Sequence, residues 1–296
     1  MSDTTGAKTY DVAVLGCGPM GAALARNFAA KGRKTAAWNR SPAKAEALAP
    51  HGVSPIQDID EAVRSSKLVV ACISTYDAAR EVLAGVTDWS GTTLVNVGTG
   101  TPAQAAEWQA WAGERGVPYL DGAILCYPPQ IGTEEGLVLY SGSSQAWVEH
   151  EQTLMATGAN SALVSGDAKA ASVLDAGIMG AFYVPALSAY VEAATYALDQ
   201  GVVPDTFNAL SEMLFQTFAV MAKESVAAIA SDQHETDIAH LSAYAEGCRA
   251  GLDVMQATGF KARLLKATVE NLNEAEKAGF GELGFFALTK VARTGG

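Results

Sequence analysis

The chain begins with a run that leaves few folds open to it. Val12-Ala13-Val14-Leu15 leads straight into Gly16-Cys17-Gly18-Pro19-Met20-Gly21, and a helical pattern from Ala22 to Ala30 follows. Strand, glycine turn and helix in that order form the phosphate-binding start of a doubly wound α/β sheet. The first glycine permits the tight turn. The second lets backbone approach a pyrophosphate, and the third lets helix and strand pack closely. N–H groups at the helix start then face phosphate oxygens. Gly16, Gly18, Pro19, Met20 and Gly21 are therefore read as a dinucleotide site. The alternative is a glycine-rich turn without function.

The second strand, Lys34–Trp38, selects the nucleotide. An NAD site carries an acid near the end of this strand to hold the ribose 2′-hydroxyl. Here the chain reads Asn39-Arg40-Ser41-Pro42-Ala43-Lys44, with no acid. Arg40 offers a planar fork of donors suited to a phosphate dianion; Ser41 adds a hydroxyl and Lys44 a second cation. An aspartate would repel a 2′-phosphate that this cluster attracts, so the expected cofactor is NADPH. Arg40 as a solvated turn residue is the alternative. Asn39, Ile73, Ser74, Thr75 and Thr99 are placed with the cofactor as well.

A length of 296 residues allows two domains and a large core, and 49% hydrophobic residues argue against disorder. The net charge of −12 argues against nucleic acid or an anionic membrane as the main partner. The first ten residues are polar and show no signal-peptide pattern. The apolar stretch Ala176 to Val191 contains Gly180 and Pro185 and is bounded by Asp175 and Glu192. It reads as a buried helix, too short to span a bilayer. Cys17, Cys72, Cys126 and Cys248 are scattered, as expected of thiols in a reducing, cytoplasmic setting.

Short apolar runs mark strands at Asp11–Leu15, Lys34–Trp38, Leu68–Ile73, Thr93–Val97, Val117–Asp121, Leu137–Tyr140 and Ala162–Val164. Helical patterns such as Ala103 to Arg115 lie between many of them, which predicts a mostly parallel, doubly wound sheet. Near residue 166 the rhythm stops. A helix of about 30 residues, roughly 45 Å long, is expected from Ala168 to Gln200, kinked at Pro185. Helical patterns alone follow: Thr206–Ser231, Asp237–Thr258, Arg263–Ala278 and Glu282–Ala292. The expected division is a Rossmann-type NADPH domain over 1–165, an interdomain helix over 166–200 and a helical dimerisation and substrate domain over 201–296. Leu214, Phe215, Phe218, Met221, Leu252 and Met255 recur at helical spacing. They read either as core or as cover for a second subunit, and the long apolar stripe favours a homodimer. His234 and His240 do not have the spacing of a metal helix, because Ile238 stands where the second histidine belongs. No metal is expected.

The chain resembles the imine reductases and reductive aminases, relatives of the β-hydroxyacid dehydrogenases. The matching stretches are Val14 to Gly21, Trp38 to Lys44, Thr99-Gly100-Thr101-Pro102, Tyr119 to Ile124 and Pro128 to Thr133. The resemblance implies a domain-swapped homodimer with each active site shared between one subunit's dinucleotide domain and its partner's helical domain. It puts Asp175 where the β-hydroxyacid dehydrogenases carry a proton-transferring lysine, and it pairs Asp175 with Tyr183 as catalytic residues. Lys169, six residues earlier, is the alternative if the alignment slips. Thr99 departs from the asparagine of fungal reductive aminases, so imine reduction is the firmer expectation and amine–carbonyl coupling the weaker one. The substrate pocket is expected to comprise Thr99, Cys126, Tyr127, Met179, Phe182 and Phe215; ordinary packing or loop roles are the alternatives. As a carboxylate Asp175 would stabilise an iminium cation, and as a carboxylic acid it would protonate an imine nitrogen to form one; its alternative is a helix N-terminal acid. The competing enzyme is an NADPH-dependent β-hydroxyacid dehydrogenase or short-chain aldehyde reductase using Lys169. A silent NADPH sensor is the non-enzymatic reading. The substrate classes expected are a small-molecule imine, amine or carbonyl.

Overall fold

A computed structural model describes residues 8–89 and 91–293. Residues 1–7, on which the leader reading largely rests, lie outside the described residues. The chain divides into two compact units at Phe182/Tyr183.

The first unit is built on eight strands: β1 (Tyr10–Leu15), β2 (Thr35–Trp38), β3 (Val53–Pro55), β4 (Ser66–Ala71), β5 (Thr93–Asn96), β6 (Tyr119–Ile124), β7 (Val138–Gly142) and β8 (Ala162–Ser165). They form one sheet in the order β3-β2-β1-β4-β5-β6-β7-β8. All pairings are parallel except β6 with β7. The connecting helices are α1 (Pro19–Ala30), α2 (Pro42–Glu46), α3 (Ile59–Arg64), α4 (Tyr76–Leu83), α5 (Pro102–Glu114) and α6 (Ser144–Leu154). Helices on both faces explain why β1 reads as a continuous apolar run. Its successive side chains point to opposite faces. Val12 and Val14 join Leu24 and Phe28 of α1 on one side, while Ala13 and Leu15 join Val63, Leu83 and Trp108 on the other.

Two strands depart from the sequence expectation by more than two residues at an end. β3 was not anticipated: it is three residues long, sits at the sheet edge and ends in Pro55, so it carries almost no strand signal. β6 runs to Ile124, three residues beyond the expected Asp121, through Gly122. A Cβ at Gly122 would lie 2.7 Å from Cγ1 of Val97, the residue after β5, so close packing demands the residue that hides the pattern.

The helix after β8 runs from Lys169 to Asp199 in three parts: α7 (Lys169–Leu174), a π-helical segment (Asp175–Tyr183) and α8 (Val184–Asp199). What stands at the expected kink is a change of hydrogen-bond register. Pro185 cannot donate to the carbonyl four residues back and its ring crowds that carbonyl. The wider turns upstream accommodate it. By length and composition alone this 31-residue helix could cross a membrane, and so could Pro204–Ser231. That corrects the expectation of a stretch too short to span. It is also not a buried helix: no residue of the π segment or of α8 is buried.

The second unit continues through α9 (Pro204–Ser231), α10 (Leu241–Ala257), α11 (Arg263–Lys277) and the short α12 (Thr289–Ala292). α10 starts later than its apolar pattern because Leu241 and Ser242 donate their N–H groups to the carbonyls of Leu283 and Gly281. The expected helix Glu282–Ala292 is a single 3₁₀ turn, Phe285–Leu288, followed by α12. The core of this unit is small: Leu241, Ala245, Leu272, Ala275 and Ala287. None of the six large residues expected at helical spacing is part of it. Leu214, Phe215 and Phe218 are exposed, and Met221, Leu252 and Met255 are half-buried.

Candidate active site

The sheet order reverses between β1 and β4, since the chain builds outward to β3 before crossing to the other side. That reversal opens a crevice at the carboxyl ends of the strands, where ligands of doubly wound sheets bind. Here the crevice is a cleft of about 560 Å³. Gly16 sits at its floor with φ +98°, a conformation that favours glycine. A Cβ there would lie 2.4 Å from the carbonyl oxygen of Cys72, and one at Gly21 would lie 1.8 Å from that of Gly16. A Cβ at Gly18 would meet no protein atom within 4 Å and would occupy the open cleft. Packing thus requires the first and third glycines, whereas the second leaves room for a ligand. That is the arrangement a pyrophosphate needs.

The cleft is lined by Gly16, Gly18, Pro19, Met20, Gly21, Asn39, Arg40, Ser41, Lys44, Ile73, Ser74, Thr99 and Asp175, all expected from the sequence. Arg40 and Lys44 are exposed, and among the described residues no carboxylate pairs with either. Asn39 has a second role: its Oδ1 accepts from the N–H of Cys17 at 2.9 Å and its Nδ2 donates to the carbonyl of Ser41 at 3.0 Å. It straps the glycine turn to the cationic turn. Thr75 does not line the cleft. Its Oγ1 caps α4 by accepting from the N–H of Ala78 at 3.2 Å.

Asp175 stands at the far end of the cleft, sharing the wall with Gly122, Ala123 and Ile124 of β6. The cations stand after β2, four strand spacings away, roughly 19 Å. Burial pushes the Asp175 carboxyl up from the usual carboxylate range. It lies six residues beyond the start of α7, past the first turn where an acid complements the helix dipole. Lys169 points elsewhere: it is exposed, with Nζ 3.4 Å from Asp167, and does not line the cleft.

The remaining expected residues are not brought to this cleft. Cys126 packs against the core beneath α1, and Tyr127 is exposed at the start of a 3₁₀ turn. Met179 and Phe182 lie on the π segment outside the lining. Asp175 and Tyr183, paired above by the resemblance, are joined by π-helical turns, so the α-helical period of 3.6 residues does not set their relative direction. Tyr183 and Phe215 belong to the second unit, where the Phe215 and Tyr190 ring centroids are 5.5 Å apart.

The sequence reading missed Trp38, Cys72, Ala78, Glu81, Val82, Val97, Gly98, Gly122, Ala123 and Ile124 as lining residues. Gly98 could have been found as a small residue at a strand end: a Cβ there would lie 2.5 Å from the carbonyl oxygen of Ile73. Glu81 and Val82 carry no such signal. Also missed was Asp121, a fully buried acid on β6 behind the cleft. Its carboxylate accepts from the hydroxyls of Tyr76, Tyr119 (3.0 Å) and Ser172 (2.9 Å). Burial lifts its carboxyl to about 6 against the pull of those donors.

The comparisons with known proteins agree with this layout. The NAD binding domain of 6-phosphogluconate dehydrogenase matches residues 11–166, and the NADPH-dependent reductive aminase-like C-terminal domain matches residues 167–294. A solved imine reductase from Pseudomonas sp. is 31% identical with a TM-score of 0.90, covering 95% of this chain and 99% of that one. An imine reductase from Myxococcus stipitatus, solved in complex with NADP+, is 28% identical with a TM-score of 0.88, covering 95% and 99%. An NADPH-dependent reductive aminase from Aspergillus oryzae is 31% identical over 176 residues, which is 58% of this chain and 59% of that protein. The match therefore spans less than two thirds of that curated relative. With a glycine turn, a cationic turn and a half-buried acid arranged along one cleft, and with near-complete coverage of a solved relative, the chain belongs to the imine reductase and reductive aminase family.

Proposed function

We propose that this protein reduces C=N bonds with NADPH, taking cyclic imines or iminium ions to amines, and that it extends to joining carbonyls with amines reductively. Arg40, Ser41 and Lys44 would hold the 2′-phosphate, and the N–H groups after Gly18 the pyrophosphate. Bound there, NADPH supplies the hydride. The chain's own contribution is at the other end of the cleft. A carboxyl group in a half-buried wall stabilises positive charge on nitrogen, or donates a proton to it, which makes the carbon more electrophilic. Burial favours the protonated acid, and an iminium cation beside it favours the carboxylate, so the group can pass its proton as the substrate enters.

The observation that carries this reading is the exchange of sides between Asp175 and Lys169. The acid lines the cleft and the lysine faces away from it. A hydroxyacid dehydrogenase needs the reverse, plus fixed cations near the reacting carbon. The cations lining this cleft, Arg40 and Lys44, cluster at the β2 end.

The active form would be a homodimer whose partner covers the apolar side chains that one chain leaves exposed on α9, among them Leu210, Met213, Leu214 and Val220. Tyr183 and Phe215 then serve a pocket completed across the dimer. The four cysteines are free thiols, as suits a cytoplasmic enzyme.

A panel assay of NADPH oxidation tests the reading. A pyrroline should be turned over, whereas 2-keto acids and semialdehyde acids should not. Asp175→Ala should lower kcat for the pyrroline by ~100-fold or more while leaving the Kd for NADPH within about twofold. Turnover of the acids instead, or an unchanged kcat, sinks it.

A further inference from the structure

Ser172 is the last buried residue on the helix that bears Asp175. From Val173 through Tyr183 every residue is half-buried or exposed. Asp175 therefore lies one turn beyond the last buried residue of the helix, and the Glu192 carboxylate, which accepts from the N–H of Arg263 at 2.8 Å, anchors it again 17 residues later. Two buried polar posts fix the helix up to that point. Ser141 of β7 donates its hydroxyl to the carbonyl of Ala168 at 2.8 Å and accepts from the N–H of Ala171 at 3.0 Å. Asp121 of β6 then accepts from the Ser172 hydroxyl. The Tyr76 phenol of α4 bonds the same carboxylate and lies 3.1 Å from the Ser172 oxygen.

An acid is a costly way to anchor a helix. Burying a carboxylate loses hydration that its partners only partly return, and an apolar contact would hold the same element as firmly. What the acid adds is direction. An apolar contact tolerates rotation about the helix axis, but a hydroxyl bonded to a carboxylate held by two further donors does not. Ser172 and Asp175 are three residues apart and so share a face of the helix. Fixing the rotation of one aims the other.

Resting on the reading of Asp175 as the catalytic acid, we propose that Asp121 and Ser172 are positioning residues: their bond sets the rotation of the helix so that the Asp175 carboxyl points into the cleft.

The test combines Ser172→Ala, Asp121→Asn, Asp175→Asn and the double variant S172A/D175N. It measures kcat and KM for a pyrroline, the Kd for NADPH and the thermal midpoint. Misplacing a reacting group by about an ångström costs up to ~100-fold in rate. Ser172→Ala is therefore expected to lower kcat by ~10-fold or more with the NADPH Kd unchanged. Ser172→Thr, which keeps the hydroxyl, should restore most of it. On the D175N background Ser172→Ala should cost nothing further, because nothing is left to aim. A structural role alone would lower the midpoint and leave kcat of the folded enzyme intact. Normal kcat in Ser172→Ala and Asp121→Asn, or a loss that multiplies with that of Asp175→Asn, overturns the proposal. Full activity in Asp175→Asn by itself overturns the catalytic reading on which the proposal stands.

Discussion

Helices α1 and α9 are both rich in apolar residues, yet the first hides its large side chains and the second displays them. Leu24 and Phe28 of α1 are 1% and 0% exposed; Leu214 and Phe215 of α9 are 67% and 56% exposed. The difference lies in what each helix has to pack on. α1 follows a strand of its own sheet and covers one face of it. Among the described residues the second unit has no sheet, and its buried core is a handful of residues from α10, α11 and the turn before α12. Apolar residues at helical spacing report that a face must be covered; they do not report which chain covers it.

The sharpest probe of that contrast is a pair of charges on the exposed face of α9. Leu210 and Leu214 are four residues apart on one side of the helix. If a second copy covers them, Leu210→Asp with Leu214→Asp buries two unpaired carboxylates and loses on the order of 4 kcal/mol or more of association. Light scattering should then give a mass near that of one chain, and turnover should fall by ~100-fold or more. The cofactor cleft is lined by the first unit alone, so NADPH binding should persist. An unchanged mass with full turnover would mean that α9 is exposed in the working protein.

The next effect is smaller and lies inside the well-packed unit, at its one fully buried carboxylate among the described residues. Burial holds Asp121 at about 6 in the folded protein, against about 3.9 in an unfolded chain. The folded state thus binds the proton more tightly. Stability from this group is greatest below about pH 4 and declines as pH rises to about 6, by ~3 kcal/mol in all. Asn at this position cannot titrate. Thermal midpoints of Asp121→Asn relative to the parent should therefore rise between pH 4 and 6, by roughly 6–10 °C for a protein of this size. A difference that stays flat across that range would mean that Asp121 is ionised in the fold at no cost.

What could be read from the sequence follows the same division. Strands β1, β2, β4 and β5 were visible because both faces of a parallel sheet are buried and the whole run turns apolar. The glycine turn and the cationic turn were visible because each needs particular residue types at fixed spacing, and all the residues named there line the cleft. β3 was hidden by its brevity and by Pro55, and the end of β6 by Gly122, where contact with Val97 excludes a side chain. The π segment before Pro185 left no mark of its own beyond the proline. The Asp121 cluster is assembled from β6, α4 and α7, elements up to 96 residues apart, so no local pattern announces it. Thr75 was misplaced because a threonine that caps a helix and one that faces a ligand look alike in sequence.

The smallest effect concerns the cationic turn, and it separates the two units once more. Arg40 and Lys44 are exposed, so neither is held in place by burial, and their worth should appear only with a ligand present. A guanidinium can donate two parallel bonds to a phosphate, whereas an ammonium acts as a point charge. Arg40→Ala should lose about 2 kcal/mol of NADPH binding, or ~30-fold in Kd, and Lys44→Ala about half that energy. NADH, which lacks the 2′-phosphate, should bind both variants as it binds the parent. Added salt should weaken NADPH binding to the parent more than to either variant, because the lost charges are the screened ones. The thermal midpoint without cofactor should not move. A Kd for NADPH and NADH that changes together would place the 2′-phosphate elsewhere and return Arg40 to the role of a solvated turn residue.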